Sequence, residues 1–157
     1  MSDRIAILHQ GKIHQVGMPE DIYERPATRF VADFIGRNNV IEAAVSSVSE
    51  HSAVVRFADG GELTIDPRRR AAGVALSVGT RVGVCLRAES FQLVSGNGVF
   101  SGVVTDVEYA GSVRSCIVKT GLGKLQVEVP SSAGRPAPGQ SVQLAVIPSA
   151  VHLVGSA

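Results

Sequence analysis

The chain has 157 residues and a mass of 16.4 kDa, with 45% hydrophobic and 18% charged residues, a globular composition rather than a disordered one. At this length a chain hides roughly two-thirds of its unfolded surface, enough for one domain or two small ones. Fifteen basic against fourteen acidic residues leave a net charge of +1, and aromatics are 4% with no Trp, so neither bulk charge nor stacking rings draw it to nucleic acid.

Composition changes along the chain. Val occurs 24 times, yet only Val16 and Val31 precede residue 40. β-branched residues favour pleated, half-buried surfaces, so the chain from Val40 onward reads as nearly all β. The front reads differently. Ile5–Leu8 and Lys12–Val16, joined at Gln10-Gly11, form a hairpin. Pro19, followed by Glu20 and Asp21, opens a short helix to Glu24, which Pro26 stops. Thr28 caps a second helix, Arg29–Ile35, with Gly36 at its C′ stop. Phe30, Val31, Phe34 and Ile35 form an apolar stripe, and a two-turn helix needs a surface to pack on.

Strands then follow in close order. Val40–Ser49, Ala53–Phe57 and Glu62–Ile65 come first, the last two joined by Asp59-Gly60-Gly61. Arg81–Leu86, Glu89–Val94 and Val99–Tyr109 come next. Ala110-Gly111-Ser112 turns into Val113–Thr120, and Gly121-Leu122-Gly123 into Lys124–Val129. Pro130–Gln140 is a loop, and Ser141–Ile147 and Ala150–Val154 close the chain. Short strands with frequent glycine turns predict a small barrel or a sandwich.

The sequence carries little that points to chemistry. It has no GxxxxGK[ST] loop, no GxGxxG after a strand, no GxSxG elbow and no HExxH. Cys85 and Cys116 form no CxxC pair and read as reduced, packed thiols. His9 and His14 flank the first turn. Zinc wants three or four ligands, so they read as polar residues on a solvated hairpin. Arg68-Arg69-Arg70 reads as a solvated turn. Asp106 and Glu108 share one strand face, the pattern of a solvated edge. Met1 and Met18 read as packing residues. No run approaches the ~20 apolar residues of a membrane span, and the N-terminus lacks the plan of a signal peptide.

Two runs carry a resemblance. Residues 1–8 (MSDRIAIL) with Gln10–Gly17 (QGKIHQVG), Pro19–Pro26 (PEDIYERP) and Phe30–Gly36 (FVADFIG) are similar to the end of an ABC-importer ATPase domain. Val84–Glu89 (VCLRAE), Val103–Gly111 (VVTDVEYAG) and Pro138–Val142 (PGQSV) resemble the transport-associated OB (TOBE) domain that follows it. Ala88 stands where that family usually has Pro, and Val146 where a Trp is common. The family's phosphate loop, signature motif, catalytic Glu and switch His all precede the position matched by Met1. The resemblance therefore implies a C-terminal portion that is not an enzyme, with no catalytic residue, cofactor or metal of its own.

The expectations that follow are these. The fold is mainly β, with one or two OB-like barrels of the TOBE type preceded by a short hairpin and two short helices. Residues 1–38 are a remnant of the ATPase domain and linker, and residues 39–157 a TOBE-type regulatory domain. Arg87, Glu89, Tyr109 and Gly111 are the candidate structural or regulatory motif, with Arg87 and Glu89 at a strand end where they can pair. Ile5, Ile7, Phe30 and Phe34 are the candidate interface of a homodimer that takes up the hairpin and helix stripe. In the family, the module works with ATPase and permease subunits of a polyamine, iron or sugar importer, cytoplasmic and peripheral to the inner membrane, touching membrane only through the permease and binding no nucleic acid. Two alternatives are an oxyanion-binding OB module, for which Gly36-Arg37-Asn38-Asn39 is a faint motif, and a single-stranded nucleic-acid-binding OB protein.

Overall fold

A computed structural model of the chain describes residues 4–35, 38–133 and 136–155. Met1 as a packing residue, Gly36 as the helix stop and the Gly36-Arg37 half of the anion motif lie outside the described residues. The front of the chain forms the hairpin β1 (Ile5–His9) and β2 (Lys12–Gly17), then α1 (Pro19–Glu24) and α2 (Arg29–Phe34). Gln10 and Gly11 both take positive φ at the turn between β1 and β2. Thr28 caps α2, its Oγ1 accepting from the Val31 amide at 3.2 Å.

Ten strands follow: β3 (Asn38–Val48), β4 (Ala53–Phe57), β5 (Glu62–Ile65), β6 (Arg81–Arg87), β7 (Phe91–Val94), β8 (Phe100–Ala110), β9 (Val113–Thr120), β10 (Gly123–Pro130), β11 (Ser141–Val146) and β12 (His152–Gly155). They form two five-stranded antiparallel sheets, ordered β12-β6-β3-β4-β5 and β10-β9-β8-β11-β7. The fold is OB-like and mainly β, as expected. The predicted strand Glu89–Val94 begins later, because Ala88–Ser90 is one turn of 3₁₀ helix. A second such turn, Pro148–Ala150, likewise delays the final strand.

The two sheets are one design used twice. β3-β4-β5-β6-β7 corresponds to β8-β9-β10-β11-β12, and the last strand of each half is exchanged into the other half's sheet. The register repeats as well: Leu153 faces Val84 as Leu93 faces Leu144. β3 shifts register between Val45 and Ser47, and β8 shifts between Val104 and Asp106. Such a shift bends a strand and lets an open sheet curl. At each bend a glycine amide binds the carbonyl before the bulge: Gly79 to Val45 O at 2.8 Å, Gly139 to Val104 O at 2.7 Å. Both glycines have positive φ, a region costly for other residues.

Both sheets bury their inner faces in one core. Val45, Val55, Val84 and Leu86 from one meet Val104, Val118, Leu125 and Leu144 from the other. Phe57 and Phe91 pack against Phe100, with ring centroids 5.1 and 6.0 Å apart. Strand exchange makes each half complete the other, so neither sheet closes without both. No helix among the described residues is long and apolar enough to cross a membrane.

Candidate functional site

The N-terminal segment packs on the outer side of the first sheet, and a set of side-chain hydrogen bonds and ion pairs lies at that junction. Its apolar centre is Ile7, Ile22 and Val31, with Ile5, Phe30 and Ile35 packed around them. A second cluster joins segment to barrel: Ala32 of α2 sits with Ala71, Cys85 and Val154. Val31 and Ala32 form the buried side of α2; of the expected stripe, Val31 is buried and Phe30 and Ile35 pack beside it, while Phe34 does not join them. Phe34 is 63% exposed, stacked on Phe30 at 5.8 Å.

Around these clusters runs a ring of polar contacts. The Tyr23 hydroxyl donates to Glu89 Oε1 at 2.9 Å. Arg87 stands over the Tyr23 ring at 5.5 Å and reaches Glu24 at 3.8 Å and Glu89 at 4.0 Å. Burial and the Glu89 hydrogen bond push the Tyr23 phenol above its usual range. Arg29 pairs with Glu42 of β3 at 3.3 Å and with Asp33 at 3.8 Å. Gln15 of β2 holds the linker from both sides of Pro26, donating to Arg25 O at 3.1 Å and accepting from the Ala27 amide at 2.8 Å. On the barrel side, the ring of His152 lies 3.0 Å from Pro26 O.

The repeat shows why these residues stand out. The counterparts of Glu42, Arg87, Glu89 and His152 in the other half are Ser101, Ile147, Ser149 and Gln92. The repeat is broken by charge or by a titratable ring where the N-terminal segment docks. Sequence reasoning singled out Arg87 and Glu89, but missed Gln15, Tyr23, Glu42 and His152. Aligning the chain with itself is the signal that would have found Glu42 and His152.

Tyr109 and Gly111 belong to a different feature, the tip of the β8–β9 hairpin. Gly111 supplies the positive φ of the two-residue turn. Arg114 covers the Tyr109 ring at 5.3 Å and donates to Ser131 O at 2.7 Å, while Ser131 Oγ donates to Gly111 O at 2.9 Å. Of the interface candidates, Ile7 is buried and Ile5 and Phe30 are half-buried within the chain's own cluster. The hairpin's outer face is instead exposed and apolar: Ala6, Leu8, Ile13 and Val16, flanked by Met18. Leu8 and Ile13, cross-strand partners, are 63% and 64% exposed.

The histidines correct a sequence reading. His9 and His14 are not simply solvated: both rings pack on Phe30, at 4.1 and 4.8 Å, with their own centroids 5.8 Å apart. Among the described residues no three metal-ligating side chains gather. Asn38 and Asn39, the described half of the anion motif, hold backbone: Asn38 donates to Ala32 O at 3.3 Å, and Asn39 to Leu86 O at 3.1 Å. Cys85 and Cys116 are free and buried, and burial pushes both thiols up, Cys85 to about 12. A cavity of about 260 Å³ lies beside the junction, lined by Ala88, Asp106, Glu108, Ser115, Cys116 and Gln126 among others.

With this geometry in hand, comparison with known proteins gives consistent matches. Residues 84–154 match the family model of the TOBE domain. The spermidine/putrescine import ATP-binding protein PotA of Rubrobacter xylanophilus is 39% identical over 121 residues, 76% of this chain and 31% of that protein. PotA 1 of Pseudomonas aeruginosa is 41% identical over 150 residues, 93% of this chain and 39% of that protein. The chain thus spans only 31% and 39% of the length of these relatives. Among solved structures, the molybdate-bound form of the cytoplasmic molybdate-binding protein ModG superimposes with a TM-score of 0.65 at 20% identity. That likeness covers 75% of this chain and 96% of the ModG chain, and it shows the OB-like fold.

Proposed function

We propose, for a chain that carries a TOBE domain and is similar over most of its length to the C-terminal portion of ABC-importer ATP-binding subunits, the role of a non-catalytic regulatory and dimerisation module of such a subunit. The observation that carries this reading is the outer face of the β1–β2 hairpin. A two-stranded hairpin is not stable alone, and here one face is packed on α1 and α2 while the other offers Leu8, Ile13 and Val16 to solvent. In this reading that face seats on the body of the ATPase. The polar ring around Tyr23, Arg87 and His152 then transmits the barrels' position to it. The division at residues 38 and 39 is where the hairpin-and-helix remnant hands over to the barrels.

Both relatives are named for spermidine/putrescine import, so a polyamine importer is the solute class we infer, ahead of iron or sugar. The partners are a second ATP-binding subunit and, through it, a permease. The place is the cytoplasmic side of the inner membrane, without direct contact with lipid or nucleic acid. Calorimetry with MgATP on this chain should give no saturable binding. Mixed with a PotA-type ATPase body truncated before this region, the chain should co-elute with it, and Leu8→Glu with Ile13→Lys should abolish co-elution. Co-elution unaffected by that pair would overturn the seating.

The oxyanion-binding reading is supported by the ModG fold likeness alone. A thermal shift with molybdate, tungstate or sulfate tests it, and a concentration-dependent rise in Tm would favour it over a structural role.

A further inference from the structure

We infer that the His152–Pro26 contact is a proton-sensitive latch: protonating His152 releases the N-terminal segment from the barrels while the barrels stay folded. The argument begins with the hydrogen bond. Pro26 has no amide hydrogen and offers only its carbonyl, so the ring nitrogen 3.0 Å away must carry the proton and donate. Nε2–H is therefore present in the neutral ring, and acid adds its proton at Nδ1. Both Pro26 and His152 are buried, and a buried N–H without an acceptor is costly.

The Pro26 carbonyl by itself favours the charged ring, whose Nε2–H still donates to it; burial and two nearby cations oppose the second proton and outweigh that bond. The linker contributes Arg25 and the β5–β6 loop contributes Arg69, whose Nε donates to Val151 O at 3.1 Å, and both cations oppose a second charge on the ring. From β6 the facing group is Cys85, an un-ionised thiol. From α2 come Arg29 and Asp33, whose fields reach Cys85 and oppose each other there. Burial, ahead of these charges, holds the imidazole below its usual range.

The repeat supports a barrel that stays folded on release. Gln92 occupies the position of His152 in the other exchanged strand, facing Ala145 as His152 faces Cys85, and it is exposed. A polar side chain at this register is compatible with a folded sheet when nothing covers it. The N-terminal segment, not the strand, creates the burial that acid opposes.

The sign follows from linkage. Above the undocked value of ~6.5 the ring is neutral in both states and docking is at full strength. As pH falls below that value the undocked state takes up the proton first, and docking weakens by up to ~10-fold per pH unit until the docked ring itself titrates. Amide hydrogen exchange on the full chain between pH 7.5 and 5, corrected for intrinsic rates, reads this directly. Residues 19–35 should lose protection as pH falls, with β3 and β8 unchanged. His152→Gln, which can still donate but does not titrate, should make the segment's protection flat. A pH response retained in His152→Gln, an unresponsive wild type, or joint loss of barrel protection would each overturn the latch. Should the variant not fold, a proton NMR titration of wild-type His152 decides: the Arg25 and Ala27 amides must shift with the ring's own midpoint, and different midpoints refute the coupling.

Discussion

Asn39 and Gln126, 87 positions apart, are joined as two strands would be. The Asn39 side-chain amide donates to Gln126 O at 2.9 Å, and its Oδ1 accepts from the Gln126 amide at 2.8 Å. One side chain thus replaces a ladder rung between β3 of the first sheet and β10, the edge strand of the second. The counterpart in the other half is Gly98, which makes no such link, its amide binding Gln143 instead at 2.9 Å. The two halves are therefore closed unequally, by an amide on one side only.

Asn39→Ala should cost roughly 2–3 kcal/mol, since it removes the donor to two carbonyls and the acceptor of one amide at a buried position. Asn39→Asp should not rescue it, because a carboxylate oxygen would then face the Leu86 and Gln126 carbonyls. Urea unfolding of both variants measures this, and a loss under about 0.5 kcal/mol in Asn39→Ala would show that the rung is dispensable.

Tyr23 reports on the docking of α1. In a Tyr109→Phe background it is the sole tyrosine of the chain, so ultraviolet titration follows it alone. Its midpoint should lie above 10, held there by burial first and by the Glu89 hydrogen bond second. Because the docked phenol is the weaker acid, the Tyr23 contribution to docking is complete below pH ~10 and is lost as the pH rises past it. Glu89→Gln should bring the midpoint down part of the way, leaving the burial contribution. A midpoint unmoved by that change would remove Glu89 from the network.

The strands were legible because each has its own punctuation. Gly60-Gly61, Gly111 and Gly123 mark turns, and β-branched runs lie between them, so β4, β5 and β9 match the sequence reading end to end. The exchange of β7 and β12 was not legible, since local periodicity says which face of a strand is buried but not which sheet it joins. The same limit explains the junction. Tyr23 and Glu89 are 66 positions apart and His152 and Pro26 are 126 apart, and each is ordinary in its own neighbourhood. Only Arg87 and Glu89, two residues apart, gave a local sign.

Cys85 should behave as an inert thiol until the junction opens. Its thiol is pushed up to about 12, and the thiolate is the reactive form. Ellman's reagent at pH 8 should therefore modify it only at the rate at which α2 leaves the sheet, and Arg29→Ala, which removes the pair with Glu42, should speed that step. In a Cys116→Ala background the signal is Cys85 alone. The same shift makes stability fall as pH rises from the unfolded value near 9 toward 12, where the unfolded chain gives up a proton the folded one keeps. Immediate labelling of the native chain would contradict the packing of Ala32 on Cys85.

The hairpin's free face should decide the assembly of the isolated chain. Leu8 and Ile13 lie side by side across β1 and β2, both largely exposed, with Val16 beyond them. Covering such side chains is worth roughly 1.5–3 kcal/mol each, a large fraction of what a weak dimer needs after the entropy of association. Ile5, Ile7 and Phe30 are occupied inside the chain's own cluster, so a dimer contact has to be made by this outer face and by Phe34. Alone in solution, two copies should cover each other's hairpin faces, in keeping with the prevalence of symmetric dimers. Light scattering should give a dimer for the chain as it stands and a monomer for Leu8→Glu with Ile13→Lys. Circular dichroism should be unchanged, because neither side chain contributes to a core. A variant that dimerises as tightly as the parent would place the contact elsewhere, and a parent that is monomeric at high concentration would refute self-association through this face.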